Sequence, residues 1–184
     1  AGPAGLSTAI KLKQLNPNVS ICILEKGAEI GAHILSGNVF ETRALDELIP
    51  DWKEKKAPIK TKVTKEIFLF LLKNSSINWP TWLLPSVQKN HKNYSISLGN
   101  LCRWLGEQAE AIGVEIFPGF PASLILYNKD GSVKGVQTGD MGIDKEGNKK
   151  DNFEPGIELH AKVTVFAEGC RGHLGKQLIK YFNL

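Results

Sequence analysis

Gly2-Pro3-Ala4-Gly5 runs straight into a helical pattern, and twenty residues beyond Gly5 a short strand pattern ends on Glu25. Ala4, Leu6, Ala9, Ile10, Leu12 and Leu15 are apolar while Lys11, Lys13 and Gln14 are polar, which predicts a helix over 4–15 stopped by Asn16-Pro17-Asn18. The β-branched run Val19-Ser20-Ile21-Cys22-Ile23-Leu24 predicts a buried strand. Gly2 and Gly5 hold the places of the second and third glycines of G-x-G-x-x-G. In that arrangement one glycine lets backbone approach a pyrophosphate and the other lets the helix pack on a strand. The helix N-terminus faces the phosphates, and the acid accepts from a ribose hydroxyl. The first glycine would lie one residue before Ala1, with a strand before it. The chain, which has no initial Met, is therefore expected to be a piece of a longer one, truncated at both ends. A capping Pro-Gly turn with a surface glutamate is the bland alternative. Helix, strand and acid in register favour a dinucleotide site.

Composition narrows the class. Hydrophobic residues make up 42% and charged residues 23%, enough apolar mass for a core, which excludes a disordered or collagen-like chain. The net charge is +4, with scattered lysines, which argues against a nucleic-acid partner. The nearest cluster is Lys53, Lys55, Lys56, Lys60, Lys62 and Lys65, read either as solvated loop or as a face toward anionic lipid or an acidic partner. Cys22, Cys102 and Cys170 are odd in number and widely spaced, so no zinc, disulfide or four-cysteine cluster site is expected; they read as small buried residues, with Cys170 the more exposed candidate. No Ser-His-Asp or metal-ligand spacing appears, so no catalytic side chain and no metal ligand is assigned.

Further along, Gly27 to Gly37 is a glycine-rich loop, 41–48 a short helix, 53–65 charged and irregular, and 94–98 a strand. A helix is expected over 100–112, stopped by Gly113, then a strand over 114–117. Ser123 to Tyr127 and Val133 to Thr138 flank Asp130-Gly131, a strong hairpin signal, and 144–148 repeats that turn chemistry. The alternation over 160–166 predicts an apolar strand, followed by Ala167-Glu168-Gly169 and a loop over 169–175. A late strand ending in Ala-x-Gly fits flavoproteins that wrap FAD, against the simpler reading of a strand-ending turn. Gly31-Ala32-His33 and Leu35-Ser36-Gly37 suit the loop along an extended FAD. His33 reads equally as a hydrogen-bonding group near that cofactor or as a loop histidine holding backbone. His160 and His173 read as structural or exposed and His91 as solvated.

Ile67 to Leu72 is an unbroken apolar block, followed by Ile77, Trp79, Trp82, Leu83 and Leu84 among prolines. One reading is core, a buried helix turn with a packed loop and no regular element over 78–85. The other is a membrane-surface contact, since Trp favours the headgroup level and the stretch is too short to span.

The segments AGPAGL, LEKGAEIGAHILSG, IPDWKEKKAP, GEQAEAIGVEIFPG, DGSVKGV and ELHAKVTVFAEGCRGHLGKQL resemble the electron-transfer flavoprotein–ubiquinone oxidoreductase family, over essentially the whole chain. The resemblance implies an α/β fold: a Rossmann-like FAD-binding domain of the glutathione-reductase type with an inserted β-sheet and membrane-contact region. It implies 1–66 as the first part of that domain, 67–93 as the membrane and ubiquinone-side insertion, and 94–184 as its continuation with a hairpin insertion about 122–160. The implied activity is that of an electron-transferring-flavoprotein dehydrogenase: a membrane-associated enzyme passing electrons from reduced electron-transfer flavoprotein through FAD and a [4Fe-4S] cluster to ubiquinone. The cluster's cysteines lie outside this segment. FAD contacts carry over to Gly2, Pro3, Ala4, Gly5, Glu25, Lys26, Gly31, His33, Ser36, Gly37, Glu168 and Gly169. Membrane and quinone contacts carry over to Phe68, Phe70, Leu71, Trp79, Trp82, Leu83 and Leu84. The implied location is an inner membrane, held peripherally on the bacterial cytoplasmic face or the mitochondrial matrix face. Rival readings are a related FAD-dependent reductase, of the nitrogen-fixation flavoprotein dehydrogenase or geranylgeranyl-reductase-like kind, and a non-enzymatic flavin- or lipid-binding module. The segment alone is expected to bind FAD poorly and not to turn over.

Overall fold

The computed structural model describes residues 1–35, 37–144 and 146–184 of the chain. They form two compact units, one of Ala1–Ile34 with Leu105–Leu184 and one of Leu35–Trp104.

The first unit opens with α1 (Pro3–Leu15) and β1 (Cys22–Glu25). Pro3 sits in the first turn of α1, where its missing N–H costs nothing. Leu6, Ala9 and Ile10, at i, i+3 and i+4, form its buried stripe. The second unit holds β2 (Asn38–Phe40), α2 (Arg43–Leu48), β3 (Thr61–Lys62), β4 (Phe68–Leu71), β5 (Ser76–Trp79), two 3-10 turns and β6 (Tyr94–Ile96). Helix α3 (Leu98–Ala111) starts in the second unit and ends in the first. Its terminator is Gly113 at φ +82°, with Val114 N–H reaching back to Ala109 O at 3.0 Å.

Strand β7 (Glu115–Pro118) then pairs in parallel with β1, Cys22 opposite Glu115 and Glu25 opposite Pro118. Parallel strands require a crossover, and here the crossover contains the whole second unit as well as α3. Next come β8 (Ala122–Tyr127) and β9 (Val133–Thr138), a hairpin whose turn has Gly131 at φ +84°. Asp130 Oδ1 accepts from Ser132 N–H at 3.0 Å and from Ser132 Oγ at 2.6 Å, which ties that turn. Strands β10 (Met141–Ile143) and β11 (Lys149–Glu154) form a second, exposed hairpin, and β12 (Glu158–His160) joins β9 to give the order β12-β9-β8. Helix α4 (His173–Phe182) ends the chain. Leu174 packs with Ile125 and Val136 as the buried centre of this sheet, and Leu24, Phe166 and Leu178 surround them.

In the second unit β2, β6 and β3 pair antiparallel, over a core of Leu45, Ile49, Trp52, Ala57, Ile59, Leu84 and Ile96. Trp52 Nε1–H donates to Asp46 Oδ1 at 2.7 Å, satisfying the indole as it is buried.

Several expectations change. The apolar block over 67–72 is not a buried helix turn: Phe68–Leu71 and Ser76–Trp79 form an antiparallel hairpin whose ladder residues are all exposed. Residues 78–85, expected to be irregular, include the end of β5 and a 3-10 turn at Thr81–Leu83. Residues 163–166 are not a strand, because no ladder partner lies beside them among the described residues; Val163 and Val165 are exposed while Phe166 turns into the core. Residues 169–175 are not all loop, since α4 begins at His173. Cys102 is buried as expected, but Cys22 is exposed, at the start of β1.

Candidate functional site

The site is built at the C-terminal end of β1 and the N-terminal end of α1. The first helical bond of α1 is Leu6 N–H to Gly2 O at 3.0 Å, so the Ala4 and Gly5 N–H groups precede the ladder. Among the described residues no side chain caps this end, and the first turn carries no acidic residue. Gly2 has φ −80° and ψ 177°, which any residue adopts, and a Cβ built there would meet nothing within 4 Å. Its lack of a side chain leaves open space beside the helix end rather than relieving strain. Gly5 differs: its Cβ would lie 3.3 Å from the Ala167 Cβ. That contact brings the 167–169 segment against the first turn of α1, so two motifs more than 160 residues apart in the chain meet here.

Glu25 closes the other side. Its Oε2 accepts from the Ala1 nitrogen at 2.6 Å and its Oε1 from Gly27 N–H at 2.7 Å. Burial pushes this carboxyl up, but the hydrogen bonds from Ala1, the first residue of this segment, and from Gly27 outweigh it, with the charges of that first residue and of His33 adding to them. The net position is below the ordinary glutamate value. His33 is exposed and acts on Glu25 through charge. Gly31 is buried at φ +84°, a left-handed turn that a glycine supplies without cost. Pro3, Ala4 and Lys26 are exposed around the same end.

Gly169 has φ +76° and open space at its Cβ position. The Glu168 carboxylate caps α4, accepting from Leu174 N–H at 3.2 Å and Gly175 N–H at 2.7 Å. Gly172 makes room for it, since a Cβ there would come within 2.7 Å of Glu168. Gly37, at φ +82°, belongs to the second unit. Ser36 lies outside the described residues. Sequence reasoning overlooked Gly27, whose N–H holds the Glu25 carboxylate; the glycine two positions past a strand-ending acid was the available signal.

Of the residues read as membrane contacts, Phe68, Phe70, Leu71, Trp79, Trp82 and Leu83 are exposed, whereas Leu84 is buried and belongs to the core of the second unit. Among the described residues no helix is long and apolar enough to cross a membrane, and no group of three His, Cys, Asp or Glu side chains could hold a metal ion.

No family model matches the chain. Among solved structures, a flavoprotein/dehydrogenase from Cytophaga hutchinsonii aligns over 100% of this chain and 40% of its own, with a TM-score of 0.58 and 17% identity. AlpK aligns over 95% of this chain and 31% of its own, with a TM-score of 0.56 and 18% identity. These likenesses establish a shared mixed α/β fold. Sequence similarity is far higher. The chain is 58% identical to a probable electron transfer flavoprotein-ubiquinone oxidoreductase of Acinetobacter baylyi, covering 100% of this chain and 33% of that protein. It is 55% identical to the mitochondrial electron transfer flavoprotein-ubiquinone oxidoreductase of Mus musculus, covering 100% of this chain and 30% of that protein. Over its whole length, then, the chain is homologous to electron transfer flavoprotein-ubiquinone oxidoreductases of bacteria and mitochondria, and it spans about a third of the length of the curated relatives it matches.

Proposed function

We propose that this chain is the FAD-binding and membrane-contacting segment of an oxidoreductase that takes electrons from reduced electron-transfer flavoprotein and delivers them to ubiquinone. The observation that carries the reading is the convergence of three elements in one unit: the open N-terminus of α1 at Gly2, the Glu25 carboxylate, and the Ala167–Gly169 segment against Gly5. Those residues fit FAD. There is clear space where a Gly2 side chain would stand, the first N–H groups of α1 have no internal partner, and the Glu25 carboxylate holds the Ala1 nitrogen, one residue before Gly2. The fold assignment that goes with this is a Rossmann-like FAD domain of the glutathione-reductase type.

FAD, when bound, supplies the redox centre. The chain's own residues bind and orient it. Gly2 gives clearance and the Ala4 and Gly5 N–H groups, with the helix dipole, hold the pyrophosphate. Glu25 accepts from ribose hydroxyls, with Lys26 beside it. Gly31 and His33 would follow the flavin and Gly169 would close the second motif, while Ser36 and Gly37 are assigned to FAD by the resemblance alone. A [4Fe-4S] cluster would come from residues beyond this segment.

Functionally the chain divides into 1–66, 67–93 and 94–184, with 67–93 contacting an inner membrane and ubiquinone. What supports this is the exposure of Phe68, Phe70, Leu71, Trp79, Trp82 and Leu83 in one stretch, a concentration of large apolar groups that a solvated surface does not keep without use. Liposome flotation and ubiquinone reduction by the full-length enzyme carrying Phe70→Ser, Trp79→Ser and Leu83→Ser test it. Both are expected to fall, and unchanged binding and turnover would remove the membrane role.

A further inference from the structure

The ribbon of β4 and β5 has two faces of different chemistry, because residues paired across an antiparallel ladder share a face. Phe68 pairs with Trp79 and Phe70 with Ile77, so one face carries four large apolar side chains. Leu69 pairs with Asn78 and Leu71 with Ser76, so the other face is half polar. The rings of the first face meet edge-on, with centroids 5.5 Å apart for Phe68 and Phe70 and 5.6 Å for Phe70 and Trp79. The connecting turn is polar: it holds Lys73, Asn74 and Ser75, closed by Leu72 N–H donating to Ser75 O at 2.8 Å. Charge in this region is one-sided. Residues 60–92 contain six lysines and one glutamate, and Lys89 Nζ lies 3.3 Å from Trp82 O, next to the exposed indole.

Building on the membrane contact proposed above, we propose that this ribbon lies flat on an anionic lipid surface, with the Phe68, Phe70, Ile77 and Trp79 face down and the turn at headgroup level. Entry by the tip would carry the Lys73 ammonium into hydrocarbon ahead of every aromatic ring, which is strongly disfavoured. It would also strip water from the ribbon's edges. Among the described residues β4 and β5 pair only with each other, so the outward N–H and C=O groups of both strands would enter hydrocarbon unpaired. Lying flat avoids both costs. The edges stay in the hydrated headgroup layer, the rings rest at the interface where aromatic side chains are favoured, and the lysines reach lipid phosphates.

The orientation is tested by binding of the full-length protein to vesicles of phosphatidylcholine alone and of phosphatidylcholine with about 30 mol% phosphatidylglycerol. Phe70→Ser and Trp79→Ser are each expected to weaken binding to the anionic vesicles by about tenfold or more. Leu69→Ser is expected to change it by less than about threefold, although Leu69, at 46%, is nearly as exposed as Phe70 at 50%, because it pairs with Asn78 on the opposite face. Phe70→Leu, which keeps an apolar contact, is expected to restore binding, separating lost lipid contact from an unfolded ribbon. Wild-type binding is expected to drop sharply when phosphatidylglycerol is left out. If Leu69→Ser weakens binding as much as Phe70→Ser, or if phosphatidylglycerol makes no difference, the proposal is overturned while the membrane contact stands. If the wild type binds neither vesicle, the proposal and the membrane contact fall together.

Discussion

Gly5 of α1 stands against Ala167, and a Cβ on the glycine would lie 3.3 Å from the alanine Cβ. A methyl group on Gly5 would require the segment to give by a few tenths of an ångström, and a larger side chain by more. Gly5→Ala should be near neutral, because the gain in helix propensity, about 0.5–1 kcal/mol, offsets the mild crowding. Gly5→Val should destabilise by about 1–3 kcal/mol and lower the FAD content of the full-length protein. Chemical denaturation with flavin absorbance measures both effects. Equal stability of the valine variant and the wild type would mean the contact is not close-packed.

The Glu168 carboxylate should matter to α4 before it matters to a ligand. Removing the cap by Glu168→Ala should cost about 0.5–2 kcal/mol, the usual range for a lost helix cap. Glu168→Gln should recover part of it, because the amide oxygen can still accept from Gly175 N–H. Urea unfolding of the two variants separates these cases. An alanine variant that loses FAD without losing stability would show that this side chain serves the cofactor instead.

Glu25 sets a pH dependence with a definite sign. Its carboxyl lies below the ordinary value of 4.5 in this segment, and the Gly27 N–H that helps hold it there does not depend on the charge at Ala1, so its contribution to stability is complete above that value and is lost as pH falls through the depressed one. Wild-type FAD retention should therefore be flat from neutral pH down to about 5. Glu25→Gln should weaken retention at neutral pH and remove the decline that the wild type shows in acid. FAD release during acid titration, followed by flavin fluorescence, reads this directly. Matching acid profiles for wild type and variant would exclude the role of Glu25.

How much of this was legible in the sequence depends on whether the signal was local. The β8–β9 hairpin, over Ala122–Tyr127 and Val133–Thr138, was readable because Asp130-Gly131 fixes the turn and the strands on either side alternate. Helix α1 and the placing of Gly2, Gly5 and Glu25 followed from period and spacing. The β4–β5 ribbon was hidden, since its six-residue apolar run shows no alternation and its turn uses Lys73-Asn74-Ser75 in place of a glycine pair. Helix α4 was overlooked although Leu174, Leu178, Ile179 and Phe182 keep helical spacing; the glycines around it masked the pattern. Residues 163–166 illustrate the opposite error. Alternation marks a strand only when a neighbour supplies the ladder, and that depends on residues far away in sequence. Likewise, the capping role of Glu168 depends on where α4 begins, which its own motif does not encode.

The most direct measurement concerns Gly2. Its backbone conformation suits any residue and its Cβ position is empty, so Gly2→Ala should leave the fold unchanged. A bound pyrophosphate at the end of α1 would meet the added methyl group. FAD titration of the full-length protein should then show affinity reduced by about tenfold or more in the variant, with unfolding of the FAD-free protein unaltered. Wild-type affinity in Gly2→Ala would contradict a pyrophosphate site at this helix end.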